Sequence, residues 1–161
     1  MWRSGTNFNL IDYNNINAIL KEVAKNKDHK IMIGSDSQLK GNYCLFVTAI
    51  CIINKYNKHH ARYFYKKLLL KDPLYGHLSN RLLKETTESI SLAEDIYNNI
   101  QDANIEIHAD INPKEYYASN KYSSMVLGYI TGCGFPCIFK PDSYVASSVA
   151  DKHTKNHKNF K

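Results

Sequence analysis

The sequence predicts an α/β fold with a mixed five-stranded sheet flanked by helices. In the first half of the chain, three apolar and β-branched segments follow one another with short connections. In the second half, strand patterns alternate with helix patterns. Strands on short connections pair antiparallel, whereas a strand–helix–strand crossover joins parallel strands. A sheet that contains both kinds of connection is mixed.

The first half of the chain reads as a leading helix followed by a three-stranded meander. Apolar residues recur at helical spacing over 14–25, which predicts the helix. Strands are predicted over 31–36, 43–56 and 61–70. Gly41 lies in the turn cluster between the first two strands.

The second half predicts two further strands and three helices. In chain order these are a helix over 81–100, a strand over 105–112, a helix over 121–133, a strand over 136–140 and a final helix that continues into a basic tail over 152–161. Ser79 is expected to cap the first of these helices, Gly134 to end the second, and Asp142 and Ser143 to cap the last. If the last two strands lie beside the first, the strand order, numbered along the chain, is 3-2-1-4-5. We expect a single domain over 1–161.

Composition limits the classes of protein without choosing a function. With 43% hydrophobic residues, the chain is too apolar to be disordered. It has no apolar run of about 18 residues and no apolar core of signal-peptide type, so we expect a soluble, cytoplasmic protein. The four cysteines have no second Cys/His pair at zinc-ligand spacing and are expected to be reduced thiols.

The net charge of +6 comes from 21 Lys and Arg against 15 Asp and Glu, and only three of the cations are arginines. Lysine neutralises phosphate as a point charge and reads no bases, so this surplus points weakly to nucleic acid. Abundant Lys, Asn, Ile and Tyr also fit AT-rich coding, which explains the charge equally well.

Two acidic residues are predicted to lie side by side in the sheet. Asp36 would end the first strand, and Asp110 would end the fourth. Either acid alone is more often a turn residue. Two neighbouring carboxylates repel each other, and a cation between them removes that conflict. The carboxyl ends of these strands also form the crevice where α/β sheets bind ligands.

Two further acids come from helices. At 100° per residue, Glu85 falls on the inward arc of its helix in line with Leu82 and Ser89, whereas Glu88 falls on the wet face. Glu85 is a candidate metal ligand, with a rim glutamate paired to Lys or Arg as the alternative. Asp151 is the fourth candidate, in a polar and basic segment.

Four stretches carry a resemblance to a known family: IGSDSQ, the RLLKET helix, HADIN, and the ending KPDSYVASSVADKHTK. Over about residues 30–155 they look like the YkuK-like family of predicted ribonuclease H-like proteins. The resemblance implies that the superfamily's four acids map to Asp36, Glu85, Asp110 and Asp151.

The resemblance further implies two Mg²⁺ or Mn²⁺ ions and two-metal phosphodiester hydrolysis. Asp36 would bridge both ions, Glu85 and Asp110 would hold one, and Asp151 would hold the other. The expected substrate is RNA, an RNA–DNA hybrid or structured DNA, and the candidate nucleic-acid contacts are Ser37, Gln38, Lys152, His153 and Lys155. His153 lies among lysines and is expected to be solvated. The alternative is a non-catalytic module of the same fold that binds nucleic acid or a protein. A homo-oligomer is compatible with either.

Overall fold

The computed structural model describes residues 1–56 and 61–155 as a mixed sheet with helices on both faces. The strands are β1 Trp2–Ser4, β2 Leu10–Ile11, β3 His29–Lys40, β4 Tyr43–Asn54, β5 Arg62–Leu70, β6 Ile105–Ala109 and β7 Cys137–Ile138. The helices are α1 Tyr13–Ala24, α2 Leu78–Asn99, α3 Ser123–Gly132 and α4 Asp151–Lys155, and a π-helical segment, Val145–Ala150, directly precedes α4. None of the helices in these described ranges combines the length and apolar character needed to cross a bilayer.

The sheet has seven strands in the order β2-β1-β5-β4-β3-β6-β7. The prediction of five strands in the order 3-2-1-4-5 is therefore wrong for the sheet as a whole. Trp2–Ser4 pairs with β5, and Leu10–Ile11 pairs with Trp2–Ser4, which adds two strands at the β5 edge. Strands of three and two residues are too short to show a period of two. The α/β class is confirmed, and the strands foreseen from the sequence are neighbours in the order β5-β4-β3-β6-β7.

Each face of the sheet has its own apolar core, as the alternation of side chains along strands requires. One core packs α1, α2 and α3 against residues such as Ile33, Ile50 and Phe64. The other packs the π-helical segment through Val145 against Met32 and further apolar residues of β4 and β5. The sheet is thus covered on both sides, and residues on either face of β3 are buried.

The boundaries of several elements differ from those predicted. Strand β3 does not end at Asp36 but runs on to Lys40, because β4 stays paired with it as far as Lys40↔Tyr43. Helix α2 begins one residue before Ser79, with His77 at the N-cap and no side-chain cap bond, so the predicted cap is wrong. Gly134 follows α3 at a φ of +88°, as predicted.

The last helix also differs from the prediction. It begins as the π-helical segment, a geometry that is rare and that the sequence pattern did not indicate. It continues as α4 to Lys155. The rest of the predicted basic tail, 156–161, lies outside the described residues.

Replacing Ile33 by Ala is expected to lower the free energy of unfolding by about 2–5 kcal/mol, because Ile33 is fully buried in the core between the sheet and helices α1, α2 and α3, and the change leaves a cavity. Urea denaturation measures the effect. Leu69→Ala on β5, where the side chain is 45% exposed, is the matched control and should change the value by less than about 0.5 kcal/mol. Equal losses in the two variants would contradict this account of the core.

Candidate functional site

Asp36 and Asp110 lie next to each other because β6 pairs parallel with β3. The paired residues run from Ile31↔Ile105 to Ser35↔Ala109, and the next position brings Asp110 beside Asp36. Adjacent strands are about 4.8 Å apart, so the two carboxylates share one small region on one face of the sheet. This is the juxtaposition predicted from the sequence, although it occurs where β6 stops and not where β3 ends.

The carboxyl of Asp36 is held in an environment that disfavours its charge. Asp36 is 9% exposed, and burial is the main cause that raises the pKa of its carboxyl. Thr154 Oγ1 opposes the rise by donating a hydrogen bond of 2.7 Å to Asp36 Oδ2. The negative charges of Asp110 and Asp151 raise the pKa of Asp36 further, and this pKa lies at about 6.

Glu85 reaches the same region from α2, on the opposite face of β3. It is 8% exposed, which confirms the predicted inward position, and Ser37 Oγ donates to Glu85 Oε1 at 2.5 Å. Burial, followed by the charge of Asp36, raises the pKa of Glu85 well above its ordinary value. One helical turn along, Glu88 is instead paired with Lys66 at 3.0 Å and Lys84 at 2.8 Å. Of these two glutamates, Glu85 is therefore the one that interacts electrostatically with Asp36 and Asp110.

Asp110 and Asp151 each have a lysine partner. Lys140 Nζ lies 2.6 Å from Asp110 Oδ1, and Lys155 Nζ lies 2.7 Å from Asp151 Oδ2. The hydrogen bond to Asp151 is the main cause that raises the pKa of Lys155, and the charges of Asp36 and Asp110 contribute. The four acids named from the sequence thus lie close enough to interact electrostatically. The ammonium groups of Lys140 and Lys155 balance the charges of Asp110 and Asp151.

Several residues that position this site were not foreseen. A buried chain of hydroxyls joins the helix to the sheet, because Ser89 Oγ donates to Ser35 Oγ at 2.9 Å and Ser35 Oγ donates to Thr48 Oγ1 at 3.0 Å. No periodicity distinguishes these hydroxyls from other small residues. Thr154 and Lys140 are equally ordinary in the sequence, and only the folded chain shows which acids they contact.

His108 ties the π-helical segment to β6. The backbone N–H of Val145 donates to His108 Nδ1 at 3.2 Å, so the ring proton lies on Nε2 and is donated to Glu106 Oε1 at 3.0 Å. This bond fixes the start of the π-helical segment, which ends at Ala150 directly before Asp151. The sequence offered only the alternation of Glu106 and His108 along the strand as a signal.

The donor chemistry of the site fits a hard divalent cation, because carboxylate oxygens are the ligands that Mg²⁺ and Mn²⁺ prefer. The described side chains do not, however, form a ready coordination group: within residues 1–56 and 61–155, no three or more His, Cys, Asp or Glu side chains are grouped to hold a metal ion. Each of the four acids is instead engaged by a hydroxyl or an ammonium of the protein.

The residues predicted to contact nucleic acid differ in how exposed their side chains are. Lys152 and Lys155 are exposed on α4, Gln38 is half-buried on β3, and the hydroxyl of Ser37 is engaged by the helix glutamate. His153 is buried and stacks on Tyr65 with ring centroids 3.7 Å apart, so the expectation of a solvated side chain is wrong. The reason is that α4 turns this residue towards the sheet.

A comparison with protein families matches residues 13–155 to the family described as ribonuclease H-like. The chain belongs to the ribonuclease H-like family. This finding confirms the resemblance seen in the sequence. A search of curated proteins and a search of solved structures each gave no match. The segment that matches the ribonuclease H-like family begins at α1 and ends at the last residue of α4, so it contains all four candidate acids.

The substitution Asp36→Asn is expected to stabilise the folded protein at neutral pH. The folded-state pKa of about 6 exceeds the ordinary value of 3.8, so the contribution of Asp36 to stability is present below pH 4 and is lost as the pH rises through 6. At pH 7.5 the variant should gain on the order of 2 kcal/mol in unfolding free energy, and at pH 4 little. Urea denaturation in EDTA at both pH values measures the difference. Glu94→Gln, at an exposed position of α2, is the control, and a gain of equal size at both pH values would contradict the assignment.

The substitution His153→Ala is expected to lower the free energy of unfolding by about 2 kcal/mol, because it removes a buried ring and its stacking on Tyr65. Thermal and urea denaturation measure the change. The neighbouring exposed Lys152→Ala serves as the control and should stay within about 0.5 kcal/mol of the parent protein. If His153→Ala is as stable as Lys152→Ala, the stacked arrangement is wrong.

Proposed function

We propose that this protein is a metal-dependent nuclease that hydrolyses phosphodiester bonds in nucleic acid. The observation that supports this most is the parallel pairing of β6 with β3, which sets Asp110 beside Asp36. Glu85 approaches from α2 on one face, and Asp151 approaches from α4 on the other. Membership of the ribonuclease H-like family agrees with a nuclease or with a related nucleic-acid-binding protein.

The residues that would hold the metal are the four acids, and the metal would be Mg²⁺ or Mn²⁺, as two ions. The charge of the site fits a bound cation, because burial and the neighbouring carboxylates raise the pKa of both Asp36 and Glu85. A site in which acids destabilise one another's ionised forms gains from added positive charge. When bound, such ions supply the positive charge that activates water and stabilises the leaving oxygen of an in-line displacement.

The other side chains of the site would orient the acids and the substrate. The hydroxyls of Thr154 and Ser37 hold the carboxylates of Asp36 and Glu85 in place. Lys140 and Lys155 carry ammonium groups at the rim of the site, where they would exchange their carboxylate partners for phosphate oxygens of a bound strand.

A second candidate function is a module that binds nucleic acid without cleaving it. Two observations favour this reading. Asp110 and Asp151 already have ammonium partners, and within the part of the chain that the structure describes no metal-ligand group is preformed. In this reading the lysines neutralise the acids permanently, and the same surface serves for binding alone.

The wild-type protein is expected to cleave labelled RNA, RNA–DNA hybrid or DNA only when Mg²⁺ or Mn²⁺ is present. Asp36→Asn and Asp110→Asn should each reduce the rate at least about a hundredfold, because removing a metal ligand costs more than disturbing a residue behind it. Gel analysis of end-labelled substrates measures cleavage.

Glu88→Gln is the matched control for Glu85→Gln, since the two glutamates lie one turn apart on α2 and only Glu85 faces Ser37. Glu88→Gln should leave the rate within about threefold, whereas Glu85→Gln should lose it. A second readout is the rise in melting temperature on adding Mn²⁺, which should vanish in Asp36→Asn. Binding of nucleic acid without metal-dependent cleavage by the wild type would establish the module instead.

A further inference from the structure

A groove of about 440 Å³ lies at the tip of the β3–β4 hairpin, next to the loop that leads from β5 into α2. The residues that line it include Leu39 and Tyr43 of the hairpin and Lys71, Asp72 and Pro73 of the loop. None of these residues takes part in the cluster of four acids. A groove of this size can take a nucleobase with part of its sugar.

The groove continues the strand that carries the central acid. Asp36, Gln38 and Lys40 project from the same face of β3, and Lys40 pairs with Tyr43 across the hairpin. Four residues of a strand span about 13 Å. A nucleic-acid strand with one phosphate at Asp36 would therefore have a nucleotide at the groove only a few positions away.

The walls of the groove offer the two contacts that a nucleotide needs. Tyr43 is 43% exposed, and Lys71 Nζ lies over one face of its ring, 5.8 Å from the centroid. An exposed aromatic ring stacks on a base of any sequence, and an ammonium beside it neutralises phosphate. Among the described residues that line the groove, the acid is Asp72, and its carboxylate accepts a hydrogen bond of 2.9 Å from the backbone N–H of Leu74.

Positively charged side chains lie on the same face of the sheet as Asp36. Lys67 lies on the same face as Asp36, two strands away through the pairs of Val47. Burial is the main cause that lowers the pKa of Lys67, and the charges of Lys40 and Arg3 lower it further. Cations this close to one another favour an extended anion along the face.

One acceptor also lies along this path. The side-chain oxygen of Gln38 is buried, and within residues 1–56 and 61–155 no donor is hydrogen-bonded to it. A buried acceptor without a donor costs about 1–3 kcal/mol. A base amino group or a ribose hydroxyl of a strand that runs from Asp36 to the groove would satisfy it.

From this geometry we infer that the hairpin groove is a nucleotide subsite for single-stranded nucleic acid, in which an unpaired base stacks on Tyr43 and its phosphate contacts Lys71. The inference rests on the proposed function for the position of the scissile phosphate at Asp36. It narrows that function to substrates with an unpaired stretch beside the cleaved bond, because a base within a duplex is not free to stack on a protein ring.

The test measures binding separately from cleavage, in full-length protein carrying Asp36→Asn. The probes are a fluorescein-labelled oligouridylate of about ten nucleotides, within the usual range of single-strand sites, and a blunt duplex of equal phosphate number. In fluorescence anisotropy, Tyr43→Ala should weaken single-strand binding about tenfold, while Tyr43→Phe retains it and duplex binding is unchanged. Lys71→Ala should lower the slope of the salt dependence by about 1.

Tyr56→Ala is the matched control, because Tyr56 is 83% exposed and lies just beyond the opposite end of β4. It should bind both probes as the parent does. The inference is overturned if Tyr43→Ala binds the single strand as tightly as the parent, or loses duplex binding to the same extent. If the wild type still cleaves in that case, the proposed function stands without this subsite. If the parent binds neither probe and the wild type does not cleave, both are overturned.

Discussion

The rest of this structure depends on one pairing, the parallel ladder between β3 and β6. It brings Asp110 to the side of Asp36, although the two residues are far apart in the chain. A parallel neighbour requires a long crossover, and α2 supplies it on one face of the sheet. The chain after β7 then returns over the other face, where His108 anchors the π-helical segment. Both helices that carry candidate acids are therefore set in place by the strand pairing.

The carboxylates that lie close together at this ladder make ionisation of Asp36 and Glu85 unfavourable. Acids that are buried near one another resist ionisation, and the raised pKa values of Asp36 and Glu85 express the cost of ionisation. Hydroxyl donors reduce this cost for Asp36 and Glu85, and Asp110 and Asp151 each lie against a lysine ammonium group. Structural residues can be optimised away from such conflict, so its persistence here supports the proposal that the functional site lies at this ladder.

Charge of the opposite sign surrounds the acids on the sheet face that α4 covers. The short strand β1 adds Arg3 to the edge next to Tyr65, and the cations of β3 and β5 lie between that edge and the hairpin groove. A central patch of acids bordered by lysines suits a polyanion whose reacting phosphate needs added cations. This distribution of charge agrees with the proposed nucleic-acid substrate better than with a compact anion.

The sequence by itself determined the α/β class, the leading helix, the long strands, and the inward direction of Glu85, because each of these follows from periodicity in a continuous segment. It also identified Asp36 and Asp110 as neighbours, since strand order follows from the lengths of the connections. Only the tertiary structure decided that β3 continues beyond Asp36, that two very short strands extend the sheet, and that His153 is buried. It also decided which hydroxyls and lysines contact the acids. These features depend on contacts between residues distant in the chain, which leave no local pattern to read.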